Sequence, residues 1–139
     1  MLVSQENIKN YIPQREPFIM IDALVAASDA GFQTQFTISD DNLFLEENKL
    51  SESALVENIA QTCAAGFGYL NSLIEGAEPQ LGFIGAVTHL EVFNTTQQGA
   101  LIETEVKVLN TFENIHLVEG IARTAGTDLL KCQLKIVLA

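Results

Sequence analysis

The side chain with the clearest capacity for chemistry is Glu57, the one group charged at neutral pH between Ala54 and Ile74. A carboxylate in such apolar surroundings must find hydrogen-bond donors, take up a proton or face a polar cavity, because burying an unpaired charge is costly. Two interpretations are open. Glu57 is either a partly solvated glutamate favoured by the dipole at a helix start, or a carboxyl at the mouth of a binding pocket.

The residues around Glu57 predict the element that positions it. Between positions 51 and 76, apolar side chains recur at the spacing of an α-helix, at Leu55, Ile59, Cys63, Phe67, Leu70 and Ile74. The opposite face carries Gln61 one turn after Glu57, and then the small residues Ala64 and Gly68. Because a helix that is apolar or small on every side is normally buried, we expect a central helix wrapped by the rest of the chain. In the pocket interpretation, Gln61, Ala64 and Gly68 border the space for a thin ligand.

The other reactive residue types do not form a cluster. Cys63 falls on the helical stripe and Cys132 on an alternating strand, so both are expected to be buried, reduced thiols. Since no Cys and His residues stand at metal-ligand spacing, we expect neither a metal nor another cofactor. His89 and His116 fall on predicted strands with no spacing that ties them to Glu57, which favours a surface role over a catalytic one.

Length and charge narrow the class of protein. A chain of 139 residues suits a single domain over residues 1–139, and its net charge of −11 disfavours nucleic-acid binding. No apolar run is long enough to cross a bilayer, and the N-terminal residues lack the basic and apolar regions of a signal peptide. The sequence therefore predicts a cytoplasmic protein without membrane insertion.

The order of predicted elements indicates an α+β fold in which one antiparallel sheet curls around one long helix. A short opening helix and a hairpin precede the central helix, and four strands follow it. The predicted ranges are 5–11, 18–25 and 32–39 before the helix, and 83–93, 100–112, 115–123 and a final strand after the turn at 126–127. Between hairpin and helix lies a polar loop, 40–50, which contains the apolar residues Leu43 and Phe44 and is a common kind of place for a binding site.

Two motifs carry a resemblance to a known family. The first is Ile-Pro-Gln-Arg-Glu-Pro-Phe at 12–18, followed by Asp22, and the second is Glu-Asn-Ile-Ala-Gln at 57–61. Together they resemble the hot-dog fold 3-hydroxyacyl-[acyl carrier protein] dehydratases, whose members open with Leu-Pro-His-Arg-x-Pro-Phe and carry Glu-Ala-x-Ala-Gln on the central helix. The likeness covers nearly the whole chain and implies the hot-dog fold.

The resemblance also implies a reaction, the removal of water from a (3R)-3-hydroxyacyl thioester held on acyl carrier protein or CoA. Such a reaction needs a base for the proton beside the carbonyl and an acid for the leaving hydroxyl. In the family, a His on the loop before the helix and an acidic residue on the helix share this work across a dimer interface. The acyl chain enters a tunnel beside the helix. The resemblance places Glu57 at the acidic position.

The family's catalytic His does not carry over to this chain. Running the motif back from Glu57 without gaps places Leu43 at the His and Phe44 beside it, so these two residues are expected at the substrate end of the site. No His occurs before position 89, and Gln14 replaces the His of the opening motif. The loop resembles more closely a divergent branch of the family associated with aryl-polyene and flexirubin-type pigments.

Three functions remain open on this evidence. One is a dehydratase-like protein of fatty-acid or polyene biosynthesis with a degenerate site, weak or inactive without the His. The second is a hot-dog thioesterase in which Glu57 activates water, and the third is a non-catalytic partner or scaffold of an active dehydratase. We also expect a homodimer, because a lone sheet would leave the amides of an edge strand unpaired.

Overall fold

The computed structural model describes residues 1–139 and contains one long helix against a six-stranded sheet. The elements are a 3₁₀ turn (Ile8–Asn10), β1 (Ala23–Ser28), β2 (Gly31–Thr37), β3 (Leu45–Glu46), β4 (Lys49–Leu50), α1 (Glu52–Ser72), β5 (Gly82–Val92), β6 (Leu101–Phe112), β7 (Ile115–Thr124) and β8 (Thr127–Leu138). The sheet order is β1-β2-β6-β7-β8-β5 with antiparallel neighbours throughout. The predicted α+β arrangement, a curled antiparallel sheet around one central helix, is confirmed.

The helix packs directly on the inner face of the sheet. A side-chain carbon built at Gly66 would lie 2.2 Å from the ring of Phe32 on β2, and one at Gly120 on β7 would lie 2.3 Å from Ile59. Real carbon atoms never approach so closely, so a glycine is needed at each of these two contacts. Phe32 and Ile59 are both fully buried, so both contacts between the helix and the sheet lie in the core.

The start of the first strand differs from the prediction. The apolar run from Phe18 to Ile21 precedes β1, which begins only at Ala23. Its backbone is held by side chains of α1, because Met20 bonds to both Asn58 and Gln61. The run is therefore an extended segment that packs along the helix. Hydrogen bonding to β2 begins at Asp22, whose N–H donates to the carbonyl of Gln35 at 2.8 Å.

Two other details differ from the expected elements. The helix ends at Ser72 instead of position 76, and the polar loop before it contains a short hairpin formed by β3 and β4.

No helix of this protein combines the length and the apolar character that a membrane span requires.

The two edges of the sheet differ in character. β1 is covered in part by the N-terminal segment, through a bridge between Val3 and Leu24. β5 pairs only with β8 and leaves its other edge free. Most of its side chains are exposed, among them Phe83, Val87 and Leu90. Its register against β8 shifts at Gly85 and again near His89.

Candidate functional site

Glu57 lies one turn into α1, half-buried, at the wall of a cavity of about 140 Å³. The helix contributes one stripe to this cavity, formed by Glu57, Ala60, Cys63, Ala64, Phe67, Gly68 and Asn71. From Glu57 to Asn71 the stripe spans about 21 Å at the rise of an α-helix. The cavity is therefore elongated along the helix, with the carboxyl near one end.

Two other parts of the chain close the cavity. Opposite the helix lie residues of β5 and β8, among them Ile84 and Ile136, and the third side is the N-terminal segment with Tyr11, Pro13 and Gln14. Nine of the sixteen lining residues are hydrophobic, and the polar groups stand at a few separate points. This composition is typical of a site for an elongated apolar ligand with one polar group.

Gln61 holds Glu57 in place and lies behind it. Its side chain is fully buried, its Oε1 accepts from the N–H of Met20 at 2.7 Å, and its Nε2 donates to the carbonyl of Phe18 at 2.8 Å and to Glu57 Oε1 at 2.9 Å. Since both ends of the amide are fixed by the backbone, its Nε2 must point at the carboxylate. Gln61 was predicted to border the ligand space, but it does not line the cavity, and the structure places it as a support for Glu57.

A buried polar network continues from this point and was not foreseen. Asn58 Nδ2 donates to the carbonyl of Met20 at 2.7 Å, and Asn58 Oδ1 accepts from the hydroxyl of Thr104 at 2.5 Å. Thr62 donates to the carbonyl of Asn58 at 2.8 Å and lies 2.7 Å from the hydroxyl of Thr34. Every side chain named here has partners, which makes the network rigid. Its signal in the sequence is weak, since it consists of single polar residues at inward positions of two strands and of α1.

The two small residues on the predicted stripe both line the cavity. Ala64 lies near its middle. At Gly68 a side-chain carbon would come within 2.8 Å of the carbonyl oxygen of Tyr11. Gly68 therefore also admits the N-terminal segment close to the helix, in addition to leaving space for a ligand.

Leu43 and Phe44, which align with the family's His and its neighbour, do not line this cavity. Leu43 is 55% exposed, and Phe44 packs against the edge of the core. The loop is held by backbone contacts, including the amide of Ser51 on the carbonyl of Phe44 at 3.0 Å. The structure thus does not bring these two predicted residues to Glu57.

Neither histidine lines the cavity. His89 is exposed on β5 with a positive φ of 51°. His116 on β7 lies against the ring of Phe67, with ring centres 4.6 Å apart, and its Nδ1 is 2.9 Å from the hydroxyl of Thr111. Burial lowers the pKa of His116 below its ordinary value of 6.5, so the ring is neutral at pH 7.

The two cysteines are buried and unpaired, as predicted. Burial raises the pKa of Cys63, which borders the cavity, and raises the pKa of Cys132 to about 11. Both thiols are therefore protonated at neutral pH and poor nucleophiles. The cavity is also bordered by the carboxyl of Glu57 and by Tyr11.

A long helix inside a curled antiparallel sheet is the hot-dog fold, and this chain shares it with solved dehydratase and thioesterase structures. The chain belongs to the ApeP-like family, described as ApeP dehydratase, whose family model matches residues 6–138. The resemblance drawn from the two sequence motifs is thereby confirmed. No curated protein matches the sequence.

Three solved structures illustrate the likeness. The dehydratase heterocomplex ApeI:P from Xenorhabdus doucetiae superimposes with a TM-score of 0.85 at 20% identity, over 95% of this chain and 90% of that one. A hypothetical thioesterase with coenzyme A from Streptococcus pneumoniae gives 0.65 at 6% identity, over 84% of each chain. The sigma28-regulated virulence protein Cj0977 from Campylobacter jejuni gives 0.71 at 7% identity, over 97% and 88%. At these identities the likeness establishes the fold.

Proposed function

We propose that this chain binds a 3-hydroxyacyl thioester along α1 and serves as one half of a dehydratase dimer, with Glu57 as its acid-base group. The observation that supports this most directly is a half-buried carboxyl, oriented by a buried amide, beside an elongated apolar cavity. A thioester on acyl carrier protein or CoA fits this shape, because its acyl chain is thin and apolar. We place the activity in the cytoplasm, in fatty-acid or polyene biosynthesis.

Dehydration of a 3-hydroxyacyl thioester requires two proton transfers. A base removes a proton from C2, the electrons of that C–H bond form the C2–C3 double bond, and the C3–O bond breaks as the hydroxyl takes up a proton and leaves as water. A carboxylate can accept the first proton and deliver it to the hydroxyl. Two positioned groups normally share this work, and each contributes about 10²-fold to 10⁴-fold.

The family's second group, a His, is missing from the cavity of this chain. Leu43 stands at the position of the family's His, and neither His89 nor His116 lines the cavity. In the family the two groups meet across a dimer interface. We therefore propose that a second, His-bearing hot-dog subunit completes the site, which agrees with the family relationship to a protein solved as a heterocomplex.

The free edge of β5 is the surface we assign to this pairing. It presents unpaired backbone groups and exposed apolar side chains, including Phe83 at 55% and Val87 at 43% exposure. Gly82 and Ile84 of the same strand border the cavity, so a partner strand on this edge would lie beside it. The homodimer predicted from the sequence would use the same edge and stays a prediction, while the missing His favours the two-subunit assembly.

The test combines assembly and turnover. Light scattering of the purified chain, alone and mixed with a His-bearing hot-dog subunit, reports the dimer. Mass spectrometry of each sample with 3-hydroxyacyl thioesters, on pantetheine and on carrier protein, then reports loss of water. We expect fast dehydration only in the mixture. A monomer in every sample, or no loss of water in any sample, would refute the proposal, and loss of the acyl group would favour the thioesterase.

A further inference from the structure

His89 has an unusual backbone conformation for its place in the fold. Five residues other than glycine have a positive φ, and four of them lie in tight turns between strands, namely Glu47, Asn48, Glu113 and Ala125. His89, with a φ of 51°, lies inside β5 at the second bulge of that strand. A Cβ atom destabilises this conformation, and bulges that need it usually carry glycine. Backbone outliers cluster at functional sites, so this one points to a use for the imidazole ring.

The first bulge of β5 shows the reverse arrangement. It lies at Gly85, between Ile84 and Ala86 in the pairing with β8. A side-chain carbon built at Gly85 would come no closer than 3.7 Å to its nearest neighbour, Lys135, which is an ordinary contact, and the φ of Gly85 is not positive. Nothing within the chain therefore requires a glycine at this bulge. Glycine is present where other residues would fit, and histidine is present where glycine would fit better.

The two bulges are placed symmetrically on the strand. β5 covers Gly82–Val92, so Val87 is its central residue, with Gly85 two positions before it and His89 two positions after it. The edge of β5 away from β8 is free. When a second copy of β5 is paired antiparallel on that edge, with Val87 facing Val87, each bulge faces a bulge and each His89 faces a Gly85. The exchanged residue types then fit, because the ring from one copy lies over the residue without a side chain on the other.

We propose that two copies of this chain pair through β5 in this register, and that His89 of each copy packs over Gly85 of the other, as a two-fold interface allows. The pairing also covers Val87 and Leu90, which are 43% and 48% exposed in the single chain. Ile84, next to Gly85, borders the cavity, so the second copy adds an imidazole beside it. This inference rests on the proposed function, which assigns the edge of β5 to a subunit interface, and concerns identical chains when no other subunit is present.

Disulfide cross-linking measures the register of the two strands. Val87→Cys places a thiol on the two-fold axis, and oxidation with diamide should join two chains into a dimer band on a non-reducing gel. Glu91→Cys on the same strand is the matched control, because its two thiols would lie about 26 Å apart at the rise of a β-strand and should stay unlinked. Cys63 and Cys132 are buried, so the unsubstituted chain should give no dimer band.

Substitutions at the two bulges test the fit of ring and glycine. Gly85→Leu fills the space assigned to the ring and should raise the dimer dissociation constant, measured by sedimentation equilibrium, by about 10-fold or more. His89→Gly suits the local backbone but removes the ring, and should weaken the dimer although the single chain gains stability. His89→Phe keeps a ring and should keep the dimer, which covers the case in which Gly85→Leu does not fold.

Three results would overturn the proposed pairing. They are the absence of a cross-link in Val87→Cys, an unchanged dimer dissociation constant in both Gly85→Leu and His89→Gly, and a monomer when the chain is alone. A chain that is monomeric alone but dimerises with a His-bearing hot-dog subunit would overturn only the self-pairing and leave the proposed function in place. A cross-linked dimer with no loss of water in any sample would do the opposite.

Discussion

The two sides of α1 are built in opposite ways. The side towards β2 and β6 is closed, because Asn58 and Thr62 bond to threonines of both strands and Gly66 lets the ring of Phe32 rest on the helix. The side towards β5 and β8 is open, with the half-buried carboxyl of Glu57 beside a cavity. The comparison suggests a division of work in which the closed side provides rigidity and the open side presents the reactive group.

Gln61 connects the two sides. Its amide is anchored on the backbone of Phe18 and Met20, to which Asn58 also bonds, and its remaining N–H reaches Glu57. The orientation of the carboxyl therefore depends on a network that never touches the cavity. We therefore expect substitutions on the open side to change the rate of the reaction. Substitutions on the closed side should change the free energy of unfolding.

The largest expected effect concerns Glu57 on the open side. Glu57→Gln keeps the shape but can no longer exchange a proton, so dehydration should fall by about 10²-fold or more in whichever assembly shows turnover. The thermal unfolding midpoint should change little. Glu52→Gln is the matched control, since Glu52 is exposed in the first turn of the same helix, and it should keep full activity. Undiminished turnover in Glu57→Gln would remove Glu57 from the mechanism.

The next effect concerns the closed side. Asn58→Ala leaves the carbonyl of Met20 without its donor and the hydroxyl of Thr104 without its acceptor. A buried group left unpaired destabilises by about 1–3 kcal/mol, and urea unfolding should report a loss in that range. Asn71→Ala, which removes an exposed hydrogen bond to the carbonyl of Glu78, should change the free energy of unfolding by less than about 0.5 kcal/mol. Equal losses in the two variants would contradict the contrast between the sides.

A smaller effect tests whether the open side holds the acyl chain. Ala64→Phe places a ring near the middle of the cavity, where it should exclude long acyl groups and leave short ones bound. We expect the dissociation constant of a long-chain pantetheine thioester to rise by about 10-fold, because apolar contacts of its acyl chain are lost. The dissociation constant of a two-carbon thioester should rise less than about 2-fold, because it has few such contacts to lose. Calorimetry with both ligands measures this. An equal change in the two dissociation constants would mean that the acyl chain does not lie along this part of the cavity.

The sequence predicted the parts of this architecture that depend on local pattern. The period of the apolar residues identified the central helix and the long strands, and the isolated charge identified Glu57. The run beginning at Phe18 was assigned to a strand because its composition fits one, although its partners are Asn58 and Gln61 on the helix. The network itself could not be foreseen, because Thr104 and Asn58 are 46 residues apart and no local pattern couples them.

The smallest expected effect lies where the segment along α1 joins the sheet, at Asp22. Burial raises the pKa of Asp22 above its ordinary value of 3.8, against the opposing hydrogen bond from the N–H of Thr37 at 2.8 Å. The folded state thus holds this proton more tightly than the unfolded chain does. The ionised carboxyl lowers stability at neutral pH, and this penalty disappears as the pH falls through the raised pKa.

Asp22→Asn keeps an acceptor for Thr37 and removes the charge. It should therefore be more stable than the unsubstituted chain at pH 7, and this advantage should shrink as urea unfolding is repeated down to pH 4. Asp22→Leu separates charge from hydrogen bond, since it leaves the amide of Thr37 unpaired and should be the less stable of the two variants at both pH values. An advantage of Asp22→Asn that grows towards pH 4 would contradict this prediction. It would mean that the hydrogen bond from Thr37 lowers the pKa of Asp22 by more than burial raises it. Asp22 would then belong with the fully hydrogen-bonded groups of the closed side.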